Sequence, residues 1–187
     1  PLEQALIREK VPYQVVGGVS IMDREEVRDL FAYLRLGVDP YDDLAFRRIA
    51  NKPKRGVGPA AVEAIAEHAT SSGTPFHEAL SRFAEGSGDK RVKKAARESA
   101  GKLSRILERL RDLVSRDAEP REIVDVALQS TGYRDWTETR DNALQRLANL
   151  DAVADMAADS DGIPEFLQEL ALYSDVDESD VDKVRIS

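Results

Sequence analysis

The residues whose types and spacing promise chemistry lie in one short run, Lys52-Pro53-Lys54-Arg55-Gly56-Val57-Gly58-Pro59. A helical pattern ends before it, the chain turns through Gly-Val-Gly, and Pro59 is suited to open a new helix. That order predicts a helix–hairpin–helix element. Glycine lets a phosphate approach the backbone, because no Cβ stands in the way. The first turn of the following helix offers amide groups without internal partners and the positive end of its dipole. Lys52, Lys54 and Arg55 would add charge beside it, and Gly56, Val57 and Gly58 would supply the backbone contact. Such a device holds a DNA backbone without reading its sequence. The competing reading is a tight turn between two helices, in which glycine serves geometry alone.

A second basic run, Lys90, Arg91, Lys93, Lys94 and Arg97, falls at the start of the longest helical pattern. Cations there oppose the helix dipole, which hints at an anionic partner. A solvated charged face would look the same. Tyr133 and Trp136 could stack on bases, or could anchor a core after the turn at Gly132.

Other chemistry is missing. No G-x-x-x-x-G-K-[ST] phosphate loop occurs. There is no cysteine, and the two histidines, His68 and His77, have no metal-ligand frame. The run from Asp175 to Asp180 starts like a calcium loop, but its sixth residue is Asp180 instead of Gly. Its twelfth is Ile186 instead of Glu. The pairs Glu25/Glu26 and Asp42/Asp43 sit at helix starts, where the dipole accounts for them. No catalytic, cofactor-binding or metal-binding residue is expected, and the chain alone is not expected to be an enzyme.

The elements that must position the hairpin read as helix after helix. Asp23 with Glu25 and Glu26 predicts a helix start, Val27, Leu30, Phe31 and Leu34 its apolar face, and Gly37 its C-cap. Asp42 or Asp43 caps a helix carrying Leu44, Phe46 and Ile49. Pro59 and Pro75 open two more. After Glu85–Asp89, read as a linker, Val92, Ala96, Ser99, Leu103, Ile106, Leu110 and Leu113 recur at alternating spacings of four and three. That predicts a helix of about seven turns. Pro120 opens a helix with Ile123, Val124, Ala127 and Leu128. Another from about Thr139 carries Leu144, Leu147, Leu150 and Val153, and Pro164 starts a last one. Short strand-like runs lie near each end, at Tyr13–Val16 and Lys183–Ser187. The expected fold is mostly α, with about nine helices, a helix–hairpin–helix-like element and one short strand near each terminus. Two strands cannot be stable alone, so a sheet with further strands is expected around them.

The 187 residues carry a formal charge of −8, unevenly spread. Residues 150–187 hold 11 acids and 2 bases, and the rest holds 24 acids against 25 bases. Local basic patches therefore remain available to an anionic partner. No apolar run is long enough to cross a membrane, and no signal-peptide pattern is present.

Several segments together resemble the UvrD/Rep/PcrA family of superfamily 1 DNA helicases. They are Val11–Gly18 with Asp23–Asp29, Ala32–Leu36 followed by Asp39–Asp43, and Arg48–Gly58 against the pattern R-I-x-N-x-P-x-R-G-I-G. Gly132–Arg134, Arg146–Leu150 and Phe166–Leu172 follow in the same order. The resemblance implies the 2B accessory domain over residues 21–178. Residues 1–20 and 179–187 would then be fringes of the second RecA-like motor domain, 2A. It implies contact with duplex DNA near a fork by the hairpin; the charge at the start of the long helix adds Lys90, Arg91, Lys93 and Lys94 as an expected weaker contact. Domain rotation would regulate unwinding, with hinges near Ser20–Asp23 and within Ser174–Asp182. ATP and Mg would serve the parent 3′-to-5′ enzyme and not this chain. Implied partners are a duplex/single-strand DNA junction, the helicase's own motor domains and repair proteins, in a cytoplasmic, nucleoid-associated, bacterial setting without a membrane. The alternative is a protein-docking, autoinhibitory module of the same helicase with little DNA contact. Two positions depart from the family: Ile21-Met22 replaces an aromatic pair, and Ala61 replaces a hydroxyl residue.

Overall fold

The computed structural model describes residues 5–6, 13–15, 20–86, 94–175 and 184–186. Nine α-helices are present among them, as the apolar periodicity requires. They are α1 (Glu25–Val38), α2 (Asp43–Ile49), α3 (Pro59–Ser72), α4 (Phe76–Ala84) and α5 (Lys94–Ser115), then α6 (Pro120–Ser130), α7 (Tyr133–Glu138), α8 (Ala143–Ala158) and α9 (Ile163–Asp175). A 3₁₀ turn at Ile21–Asp23 precedes α1. The strands β1 (Tyr13–Val15) and β2 (Val184–Ile186) pair in parallel, Tyr13 opposite Val184. The acidic run expected to be a solvated loop lies outside the described residues after its first residue, Asp175, which ends α9, and most of the Glu85–Asp89 linker lies outside them too.

Helix α1 is the centre. Val27, Leu30, Tyr33, Leu34 and Leu36 are all buried, too wide a set for a one-sided amphipathic helix. It packs against α2, α5, α6, α8 and α9. Phe31 meets Phe166 of α9 edge to face, with ring centres 6.3 Å apart. Phe46 of α2 stacks on Phe76 of α4 at 4.2 Å. Together these contacts make one continuous apolar core.

Local signals behaved with some exceptions. Asp42 caps α2, its carboxylate accepting the Ala45 amide at 2.9 Å. Pro59 and Pro120 occupy first-turn positions of α3 and α6. Gly37 is not a C-cap: it lies inside α1, which runs to Val38 with Asp39 as its C-cap. A Cβ there would stand 3.4 Å from Val114, an ordinary contact distance, so the crossing with α5 has room for a methyl group. In α5 the buried stripe is Ala96, Ala100, Leu103, Leu107, Leu110 and Leu113. Ser99 and Ile106, assigned to it by heptad spacing, are half-buried, because neighbours on both sides widen the covered face. The turn expected at Thr131–Tyr133 forms at Thr131 and Gly132, and the short helix α7 follows it from Tyr133. Leu144, expected to be apolar core, is 87% exposed.

Candidate nucleic-acid interface

The segment between α2 and α3 forms the expected hairpin. Asn51 accepts the Arg55 amide through its side-chain oxygen at 2.7 Å, closing an asparagine-headed turn. Gly56 adopts φ +73°, a conformation that strains residues with a Cβ. Val57, 0% exposed, plugs the loop into the core. Gly58 then caps α3. The two helices are tied by Arg47 of α2, which forms a two-pronged ion pair with Glu63 of α3.

The three cations of the hairpin have different fates. Arg55 is turned inward. Its Nη1 donates to the carbonyls of Ile49 (3.2 Å), Lys52 (2.5 Å) and Pro53 (3.2 Å). Its Nη2 donates to the Tyr33 hydroxyl (2.7 Å) and the Thr131 carbonyl (3.2 Å). Tyr33 in turn donates to the Lys52 carbonyl. Burial pushes the Tyr33 phenol up to about 12, against the opposing pull of Arg55. Lys52 is committed too, at 2.9 Å from Glu25 and 3.2 Å from both oxygens of Asp29. Lys54 alone is exposed and makes no ion pair or hydrogen bond with the described residues.

Asp29 is the hub beneath this loop. It is 0% exposed, and a buried carboxylate needs partners on both oxygens. It receives Lys52 and the Tyr133 hydroxyl at 2.7 Å. Arg48 Nε lies 2.7 Å away, although its N–H does not aim at the oxygen. Burial, and then the charge of Asp29, pushes the Tyr133 phenol well above its usual range. Alongside, Arg146 reaches Glu25 (3.3 Å) and Glu26 (2.9 Å), and Asn149 donates to Glu26 at 2.7 Å. The Lys52 ammonium, as a hydrogen-bond donor, holds the Glu25 carboxyl below its ordinary value. The hairpin is thus bolted to α1, α8 and the α6–α7 turn. Sequence spacing could not reveal this, because the partners lie 19 to 123 residues apart.

The rim of α3 is open. A Cβ at Gly58 would meet nothing within 4 Å, and its φ of −71° suits any residue. Internal geometry therefore demands glycine at position 56 but not at 58. The amides of Gly56, Gly58 and Ala60 have no acceptor among the described residues. Ala61, in place of a hydroxyl residue, packs half-buried against the core.

Of the second basic run, Lys90, Arg91 and Lys93 lie outside the described residues. Lys94 is 91% exposed and loosely paired with Glu98 at 3.8 Å. Tyr133 proves to be a core residue and Trp136 packs half-buried against the core: their rings meet at 5.2 Å, and Arg140 covers the Trp136 ring. His77 is buried at the α4–α5 contact and His68 is exposed, without a shared ligand geometry.

Fold and site together define a helical domain that presents a helix–hairpin–helix rim held by a buried polar network. The chain belongs to the family of UvrD-like helicase C-terminal domains, which it matches over residues 1–187. It is 34% identical to the ATP-dependent DNA helicase PcrA of Staphylococcus aureus over 194 aligned residues, covering 97% of this chain and 26% of that protein. It is also 34% identical to the ATP-dependent DNA helicase UvrD1 of Mycobacterium bovis, covering 95% of this chain and 25% of the relative. The chain therefore spans about a quarter of these relatives' length. No helix among the described residues is long and apolar enough to cross a membrane.

Proposed function

We propose that this chain is the 2B-type accessory domain of an ATP-dependent 3′-to-5′ DNA helicase and that it grips duplex backbone near the fork. Residues 21–178 form that domain, and residues 1–20 and 179–187 belong to the neighbouring motor domain. One observation carries the reading: amides without acceptors at Gly56, Gly58 and Ala60 share the α3 rim with the free cation Lys54. A phosphate there would satisfy donors that the protein leaves open. The relatives' names supply the helicase context. The grip consists of backbone amides and Lys54, while Lys52 and Arg55 set the loop's shape. The chain has no phosphate loop for ATP, so it carries no step of ATP hydrolysis. Its part is to hold duplex and to change orientation relative to the motor.

A docking role has one observation in its favour. Val38, Tyr41 and Leu44 are exposed apolar residues within seven positions of one another at the α1–α2 corner. The two readings separate by mutation. A labelled duplex with a 3′ single-stranded tail is titrated with wild type and with a Lys54→Glu, Gly58→Asp pair across a salt series. A DNA grip predicts binding at low salt that the pair abolishes with the fold intact. Unchanged binding by the pair, or no binding by wild type, would overturn the grip and favour docking.

A further inference from the structure

Helix α5 carries cations on the face turned away from the core. At 100° per residue, Lys102, Arg105 and Arg109 fall opposite the buried stripe of Ala100, Leu103, Leu107 and Leu110. All three are exposed. Of the acids on or beside that face, Glu98 lies 3.8 Å from Lys94 and Asp112 lies 3.7 Å from Arg116, while the exposed Glu108 makes no ion pair among the described residues. Lys102, Arg105 and Arg109 make no ion pair among the described residues. A protein of net charge −8 thus keeps three cations without ion-pair partners among the described residues in a row on its longest described helix.

We propose that Lys102, Arg105 and Arg109 form a second contact for nucleic-acid backbone, separate from the hairpin. The row rises about 10 Å along the helix axis at 1.5 Å per residue, and DNA offers a phosphate every ~3.4 Å of axis on each strand. The three side chains can therefore each reach a different phosphate on one strand. The contact reads charge spacing and not base identity. The inference rests on the DNA-binding reading above and adds a site that the hairpin does not include.

The test uses the whole chain and the tailed duplex. A Lys102→Gln, Arg105→Gln, Arg109→Gln variant is compared with Lys54→Glu. It is also compared with a charge-matched control, Arg28→Gln, Arg121→Gln, Arg140→Gln, from other faces. Loss of three phosphate contacts should lower the log–log salt slope by about 2.7, with an affinity loss of tenfold or more at low salt. The control should move both far less. An equal loss in the control would reduce the row to a general charge effect and overturn the site. So would an unchanged slope in the α5 variant, or no binding by wild type at low salt. If the α5 variant loses binding and Lys54→Glu does not, the α5 site stands and the hairpin reading falls. The reverse result overturns the α5 site and leaves the hairpin standing. A blunt duplex and an unpaired strand, titrated separately, decide which form the row holds.

Discussion

Arg55 shows how little a residue's type says about its task. It sits between a lysine and a glycine in an exposed hairpin, yet its guanidinium serves five internal acceptors. Arg55→Met would remove a donor from the Tyr33 hydroxyl and from four carbonyls, of which only those of Ile49 and Lys52 keep another among the described residues. It is expected to destabilise the fold by about 2–4 kcal/mol, read as a lower midpoint in urea unfolding. Lys54→Ala should stay within about 0.5 kcal/mol of wild type in the same experiment, while weakening DNA binding. Equal stability losses in the two variants would contradict the assignment of roles. Tyr33 gives a pH counterpart. Its folded value near 12 exceeds the ordinary 10, so the phenolate is favoured in the unfolded chain. Its contribution is complete below pH 10 and is lost as pH rises from 10 toward 12. Tyr33→Phe should flatten that part of the alkaline stability profile.

Elements obey their capping signals until tertiary contact overrides them. Gly37 looks like a helix stop but lies within α1, at the crossing with α5. The nearest atoms around a built Cβ lie at 3.4–3.6 Å, ordinary contact distances. Gly37→Ala should therefore fit and gain helix propensity, stabilising by up to about 1 kcal/mol. Gly37→Leu should destabilise by overpacking against Leu110 and Val114. Thermal unfolding of the pair checks both signs. Gly58 behaves differently: an added Cβ meets nothing inside the protein, so a small side chain there should leave stability alone and affect only what approaches from outside.

Across the molecule, two titrating groups act in the same direction on the acid side. His77 is pushed below 6.5, first by burial and then by the Arg111 charge, against the pull of Glu78 and Glu108. Protonation then favours the unfolded chain, so its contribution is complete above pH 6.5 and is lost as pH falls below it. Glu25 is held below 4.5, and its contribution disappears as pH falls below that value. Urea midpoints should therefore decline from pH 7.5 to 5.5 and again below 4.5. His77→Gln is expected to reduce the first decline and leave the second. An unchanged first decline would place its origin elsewhere.

The sequence by itself determined the helical class, most helix starts and the position of the hairpin. These rest on residues near one another in the chain: proline at first turns, Asp42 before α2, Gly56 and Gly58 between two apolar patterns. The family, too, was legible in the ordered motifs. Only the tertiary structure decided which cations are free. Lys52, Lys54 and Arg55 are neighbours of like charge, and nothing local separates them. Asp29, Glu25, Tyr33 and the Thr131 carbonyl claim two of the three from distant helices. The stripe of α5 shifted for the same reason. Periodicity gives the spacing of an apolar face, but the neighbours that cover it set its width.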